Sequence, residues 1–248
     1  MSNRPRFLSR LGVADAVTVG NAAIGFAAAA TATFDPALAA RLVLLAAIAD
    51  GLDGVIARKY GGTAVGPHLD SLADVASFGV APALLVTAVA TAEWTRAATV
   101  RFWLAVAVPA LFVAAAVVRL GVYNVTDEGA KTTHGVQTTL AATILAACVL
   151  AGVATPPTAV ALAGLLALSM VTPVRYPDLH AQDALVMGAV QALAVLLGGG
   201  TGRVFAFAVL FLALGYTLLG PKFYWRDVSD PEAAEPETDE TPDGETGV

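Results

Sequence analysis

Eight stretches of this chain approach or exceed the roughly 20 apolar residues that a helix needs to cross a hydrocarbon core. They run over about 13–33, 38–59, 69–91, 100–120, 136–154, 158–174, 183–199 and 203–220. In lipid a backbone must satisfy its own polar groups, which leaves helices or closed barrels. The runs are too long for strands, so the pattern predicts an all-α, polytopic membrane bundle of about eight transmembrane helices. Breakers separate them: Asp35-Pro36, Gly61-Gly62, Pro156-Pro157, Pro173 and Pro177, and Gly198-Gly199-Gly200. The run GGGTG at 198–202 lacks the lysine of a phosphate loop and reads as a tight interhelical turn. At 57% hydrophobic and 14% charged residues, the chain is not an ordinary soluble domain. The first run is longer than a signal-peptide core, so no removed targeting peptide is expected. The single cysteine, Cys148, lies inside an apolar run and reads as a small buried hydrophobe.

The net charge of −6 divides unevenly. From Asp227 to Val248 there are nine acids and no Lys or Arg, whereas the rest carries 11 acids against 14 bases. This Pro-, Thr- and Gly-rich end has too little apolar surface to fold on itself, so residues 221–248 are expected to form a disordered cytoplasmic tail. The remainder carries +3, spread over helix ends, and no nucleic-acid partner is expected. Placing the N-terminus inside puts ten of the 14 Lys and Arg residues on the cytoplasmic side and leaves Arg41, Arg96, Arg101 and Arg203 outside. That orientation predicts a multi-pass protein of the cell membrane. Scarce lysine, abundant alanine and the acidic tail suggest a halophilic archaeal source.

Residues 50–74 read DGLDGVIARKYGGTAVGPHLDSLAD. Four aspartates, Asp50, Asp53, Asp70 and Asp74, stand in or beside apolar runs. Acids at bilayer depth are costly and mark functional sites. Asp50 and Asp53 lie near the cytoplasmic end of the second predicted helix, with Gly54 and Ala57 leaving room beside them and Arg58 following. Gly61-Gly62 ends that helix, and Gly66-Pro67 opens the next. There Asp70 and Asp74 are four residues apart on one face, which Ser77 joins. Two helices thus aim four carboxylates into one space. Such a group suits a hard divalent cation, Mg²⁺, Mn²⁺ or Ca²⁺, and a metal-bound diphosphate.

The pattern D-x₂-D-G-x₂-A-R followed by G-x₃-D-x₃-D, here Asp50, Asp53, Gly54, Ala57, Arg58, Gly66, Asp70 and Asp74, resembles the CDP-alcohol phosphatidyltransferases. Seven residues separate Arg58 from Gly66, where that family usually has eight. The segment 69–83 and the run Arg119-Leu120-Gly121-Val122-Tyr123-Asn124 are similar to the serine-using branch, although the second arginine of its signature is missing. HGVQTTLAA at 134–142 is similar to another segment of that branch, with Gln137 where proline is usual. Thr18, Asn21 and Gly25 resemble the family's first helix, with Asp15 in place of its leading asparagine.

The resemblance implies a six-helix catalytic core over 13–180, preceded by a cytoplasmic segment 1–12 and followed by two additional helices over 181–220. It implies transfer of a phosphatidyl or archaetidyl group from a CDP-activated lipid to L-serine, with release of CMP, by a homodimer in contact with membrane lipids. Asp50, Asp53, Asp70 and Asp74 would hold one or two divalent metals, Mn²⁺ or Mg²⁺, and Asp74 would also be the general base. Gly54, Ala57, Arg58, Gly66, Thr18 and Asn21 would bind the CDP-lipid. Arg119 and Asn124 are candidates for the serine carboxylate or a lipid phosphate; the plain alternative for Arg119 is a snorkelling anchor. For Thr18 and Asn21 the alternative is hydrogen bonding between helices. His68, His134 and His180 fall at helix ends or loops and are expected at the surface. Inositol phosphate or glycerol phosphate as acceptor is the near rival. A prenyltransferase or an aspartate-based cation transporter is the distant one.

Overall fold

The computed structural model describes residues 11–96, 99–126, 132–177 and 179–224. The expected N-terminal segment, apart from its last two residues, and the acidic tail from 225 onward lie outside the described residues. Every predicted apolar run is helical. The helices are α1 (Val13–Thr31), α2 (Pro36–Tyr60), α3 (Gly66–Asp74), α4 (Ala81–Thr91), α5 (Thr99–Thr126), α6 (Thr138–Leu150), α7 (Pro156–Met170), α8 (Ala181–Leu196) and α9 (Gly199–Phe223). The third run makes one rod from two of them: α3 passes into α4 through a π-helical stretch, Val75–Val80.

The boundaries follow local chemistry. Asp35 caps α2 by accepting from the Leu38 N–H at 2.9 Å, with Pro36 in the first turn. Gly61, at φ 88°, ends α2 in a conformation that a side chain would resist. Thr155 caps α7 ahead of Pro156. The glycine run after α8 differs from expectation, because residues 199–202 already belong to the first turn of α9 and the turn itself is confined to 197–198. At its other end α9 carries Pro221 within the helix and stops at Phe223, so the first residues assigned to the tail are helical.

Four helical rods are long and apolar enough to cross a membrane: Val13–Thr31, Gly66–Thr91, Val100–Val125 and Gly199–Phe223. Helix α2 has the length but carries Arg41, Asp50, Asp53, Arg58 and Lys59. Helices α6, α7 and α8 are apolar but only 13, 15 and 16 residues long. At 1.5 Å per residue they fall short of a ~30 Å core. The sequence ruler counted apolar turn residues at their ends, such as Val153 and Val171, as helix.

Two short strands were not foreseen. β1 (Thr132–His134) and β2 (Arg175–Pro177) pair antiparallel, with Thr133 opposite Tyr176. The segments before α6 and before α8 run side by side and pair their backbone groups, as buried backbone must. Tyr176 donates to the Thr217 carbonyl at 3.0 Å, and Tyr216 donates to the Pro177 carbonyl, which pins β2 to α9.

The interior is built largely from alanine. One core cluster joins α4, α5, α6 and α7 around Phe112, Ile144 and Met170. The other joins α1, α2 and the third rod around Leu44, Phe78 and Leu85. Small residues let helices approach closely, as in membrane bundles. The outer surface exposes Phe26, Phe34, Leu72, Phe211 and Leu218, among other large apolar side chains. An apolar exterior over a packed interior is the surface of an integral membrane protein.

A close approach joins α1 to the π-helical stretch. A Cβ on Gly25 would stand 2.4 Å from Ser77 Oγ and 2.6 Å from Ser77 Cα. Ser77 Oγ donates to the Asn21 carbonyl at 2.9 Å, so this serine is spent on helix contact and does not join the aspartate face. Gly25→Ala should lower the thermal unfolding midpoint in detergent, at a cost of about 1–3 kcal/mol for overpacking. Gly20→Ala, where nothing lies within 4 Å, should not lower it.

Candidate functional site

Helix α2 delivers Asp50 and Asp53, and α3 delivers Asp70 and Asp74, to the end of the bundle where the two helices are joined. Asp50, Asp70 and Asp74 each place a carboxylate oxygen within 4.8 Å of the others. Like charges this close repel, and only a cation or protons relieve them. Asp74 is buried, and its Oδ1 has no hydrogen-bond partner. A buried acceptor without a donor is rare and marks a place for something else to bind. Three oxygen donors in a compact group are the donor set of a hard divalent ion.

Asp53 is not part of this triplet. It is buried and accepts a hydrogen bond from Thr18 Oγ1 at 2.7 Å through Oδ2, while remaining within electrostatic reach of Asp50, Asp70 and Asp74. Four carboxylates converge, then, but three form the cluster and the fourth is tied to α1. Asp50 is itself oriented: Thr139 Oγ1 on α6 donates to its Oδ2 at 3.3 Å.

The residues expected to shape a nucleotide pocket line the same two helices. Arg58 is exposed at the end of α2 and folds back over Gly54, where a Cβ would lie 3.5 Å from its Nη1. Ala57 is half-buried. Gly66 starts α3, and a Cβ there would lie 3.2 Å from Asp15 Oδ1. Asn21 is wholly buried, and neither Oδ1 nor Nδ2 has a hydrogen-bond partner, although its backbone carbonyl is taken by Ser77.

Arg119 does not snorkel. It is buried on α5, where Nη2 donates to Thr133 Oγ1 at 3.0 Å and Nη1 to Thr138 Oγ1 at 3.5 Å. Its guanidinium also lies 5.7 Å from the centre of the Tyr123 ring. Its charge reaches Asp74. Asn124 has a different engagement: its Oδ1 accepts from Ser71 Oγ at 3.0 Å, joining α5 to α3. His68, His134 and His180 are exposed, and none belongs to the aspartate cluster.

The contacts of five polar residues escaped sequence reasoning: Asp15, Thr63, Thr133, Thr138 and Thr139. For two of them the available signal was a pair of threonines inside an apolar run, Thr138-Thr139, in a segment already singled out by resemblance. Their partners are 14 to 89 residues away in sequence, beyond the reach of local pattern. A separate apolar cavity of about 340 Å³ lies between α8 and α9, lined by residues such as Met187, Phe211 and Tyr224, and includes none of the aspartates of the cluster.

The comparisons identify the family. The family model described as CDP-alcohol phosphatidyltransferase matches residues 11–174. An archaetidylserine synthase of Methanothermobacter thermautotrophicus is 30% identical over 189 residues, which cover 74% of this chain and 77% of that protein. A CDP-diacylglycerol–serine O-phosphatidyltransferase of Mycobacterium tuberculosis is 34% identical over 137 residues, covering 54% of this chain and 41% of that one. One from Methanocaldococcus jannaschii is 43% identical over 75 residues, covering 30% and 34%. With a matching model that includes both aspartate pairs, the chain belongs to the CDP-alcohol phosphatidyltransferase family.

Proposed function

We propose that this enzyme transfers the phosphatidyl or archaetidyl group of a CDP-activated lipid to L-serine and releases CMP. The observation that carries the reading is the triplet Asp50, Asp70 and Asp74, with a buried and unpartnered oxygen on Asp74. The serine-using relatives support the acceptor. The donor set fits Mn²⁺ or Mg²⁺, which would set positive charge against the diphosphate.

The chain's own residues divide the remaining work. Asp74 takes the proton of the serine hydroxyl as its oxygen bonds to the lipid-side phosphorus. The bond from that phosphorus to the CMP oxygen breaks, and CMP leaves with the electron pair. Asp53, held by Thr18, and Asp50, held by Thr139, keep fixed directions, which lowers the reorganisation needed during transfer. Gly54, Ala57 and Gly66 leave room for the nucleotide, Asn21 offers it an amide, and Arg58 reaches phosphate oxygens. Arg119, oriented by Thr133 and Thr138, binds the serine carboxylate. Asn124 supports that place through Ser71. The site faces the cytoplasm on the positive-inside rule, a reading supported by Arg58 and Lys59 in the last turn of α2 and Lys222 in the last turn of α9.

The first test is CMP release by the purified protein from CDP-archaeol or CDP-diacylglycerol with Mn²⁺, comparing L-serine, inositol phosphate and glycerol 3-phosphate. Release with serine alone is expected. Asp74→Asn should reduce it by about 10²–10⁴-fold, the usual weight of a general base. Release with a different alcohol would replace serine as acceptor, and no CMP from folded protein with any acceptor would overturn the transferase reading. Chelation with EDTA should abolish release, and added Mn²⁺ should restore it. Arg119→Lys keeps the charge but loses the planar fork. It should raise the KM for serine by roughly ten-fold or more, as for a lost charged hydrogen bond, and leave the KM for CDP-lipid near that of the wild type.

A further inference from the structure

Asp15 is 2% exposed, on the first turn of α1, and lies outside the aspartate cluster. A buried carboxylate persists only when its lone pairs are engaged. Its Oδ2 accepts from the Gly12 N–H at 2.7 Å and from Thr63 Oγ1 at 2.8 Å. The first bond caps α1, where a negative charge is also favoured by the helix dipole. The second reaches 48 residues along the chain to the loop between α2 and α3.

Thr63 passes the connection on. Its hydroxyl donates to Asp15 and accepts from the Gly66 N–H at 3.1 Å. Gly66 is the first residue of α3, and its N–H is one of the donors that a helix start leaves without a partner inside the helix. Asp70 and Asp74 follow one and two turns later, so a shift at Gly66 moves both carboxylates together. Three residues after Asp15 on the same helix, Thr18 holds Asp53. Helix α1 therefore grips the α3 half of the motif through Asp15 and the α2 half through Thr18.

We propose that Asp15 and Thr63 form a latch that positions α3, so that Asp15 is a positioning residue for the metal and diphosphate site. The proposal rests on the transferase reading only for its catalytic consequence. The latch needs an acceptor at Asp15 and a hydroxyl at residue 63. It does not need the negative charge, because an asparagine oxygen can accept both bonds.

The test uses the full-length protein in detergent and four variants: Asp15→Ala, Asp15→Asn, Thr63→Val and Thr63→Ser. Amide hydrogen exchange over 61–69 reads the latch itself. It should quicken in Asp15→Ala and Thr63→Val and stay near wild type in Asp15→Asn and Thr63→Ser. In the first pair, the Mn²⁺ concentration for half-maximal CMP release should rise about 10–100-fold, the usual cost of losing a group that orients metal ligands. The second pair should keep the wild-type value. Should Asp15→Ala fail to fold, Thr63→Val carries the test. Unchanged exchange and Mn²⁺ requirement in Thr63→Val would reduce Asp15 to a cap of α1 and overturn the proposal. Equal losses in Asp15→Asn and Asp15→Ala would assign the effect to charge and overturn it as well. If the wild type releases no CMP, the functional reading fails, while exchange over 61–69 still decides the latch.

Discussion

Charge burial in an apolar bundle is the constraint on which this structure turns. A carboxylate withdrawn from water is costly unless it is paired or hydrogen-bonded. The protein meets that cost unevenly. Threonine hydroxyls engage Asp53 and Asp50, and Gly12 with Thr63 engages Asp15. Asp74 keeps an oxygen without a donor. The residual imbalance is concentrated where Asp50, Asp70 and Asp74 meet, and that is where a cation gains most.

Hydroxyls can do this because the helices come close. Alanine and glycine on α1 and α2 and in the π-helical stretch bring backbones near enough for short side chains to bridge them. Thr18 reaches Asp53 from a neighbouring helix, and Ser77 reaches a carbonyl of α1. Longer polar side chains would require wider spacing and would lose the orientation that these short ones fix. Alanine abundance, which in the sequence reads as a compositional bias, is in the fold a condition for the polar site.

The helices were legible because apolar length and breakers are local signals. Gly61 and the Gly66-Pro67 start stand where the sequence placed them. The family was legible because both aspartate pairs fall in one short window. What was not legible depends on contacts between distant residues. Asp53 is tied to α1, Ser77 turns to Asn21, and Asn124 meets Ser71, and none of these follows from spacing along one helix. The β1–β2 pair was hidden because three-residue strands leave no periodicity to read. The shortness of α6, α7 and α8 was hidden because hydropathy does not distinguish an apolar turn from an apolar helix.

The π-helical stretch at Val75–Val80 bears on the geometry of the whole third rod. The Ala81 N–H bonds the Ala76 carbonyl, five residues back, so the turn holds one more residue than an α-helical turn would. That extra residue resets the angular phase of everything beyond it. Asp70 and Asp74 can face the cluster while Leu85, Val86 and Ala90 face the interior, without one stripe having to serve both. The polar end and the apolar end of a single rod are thereby aimed independently.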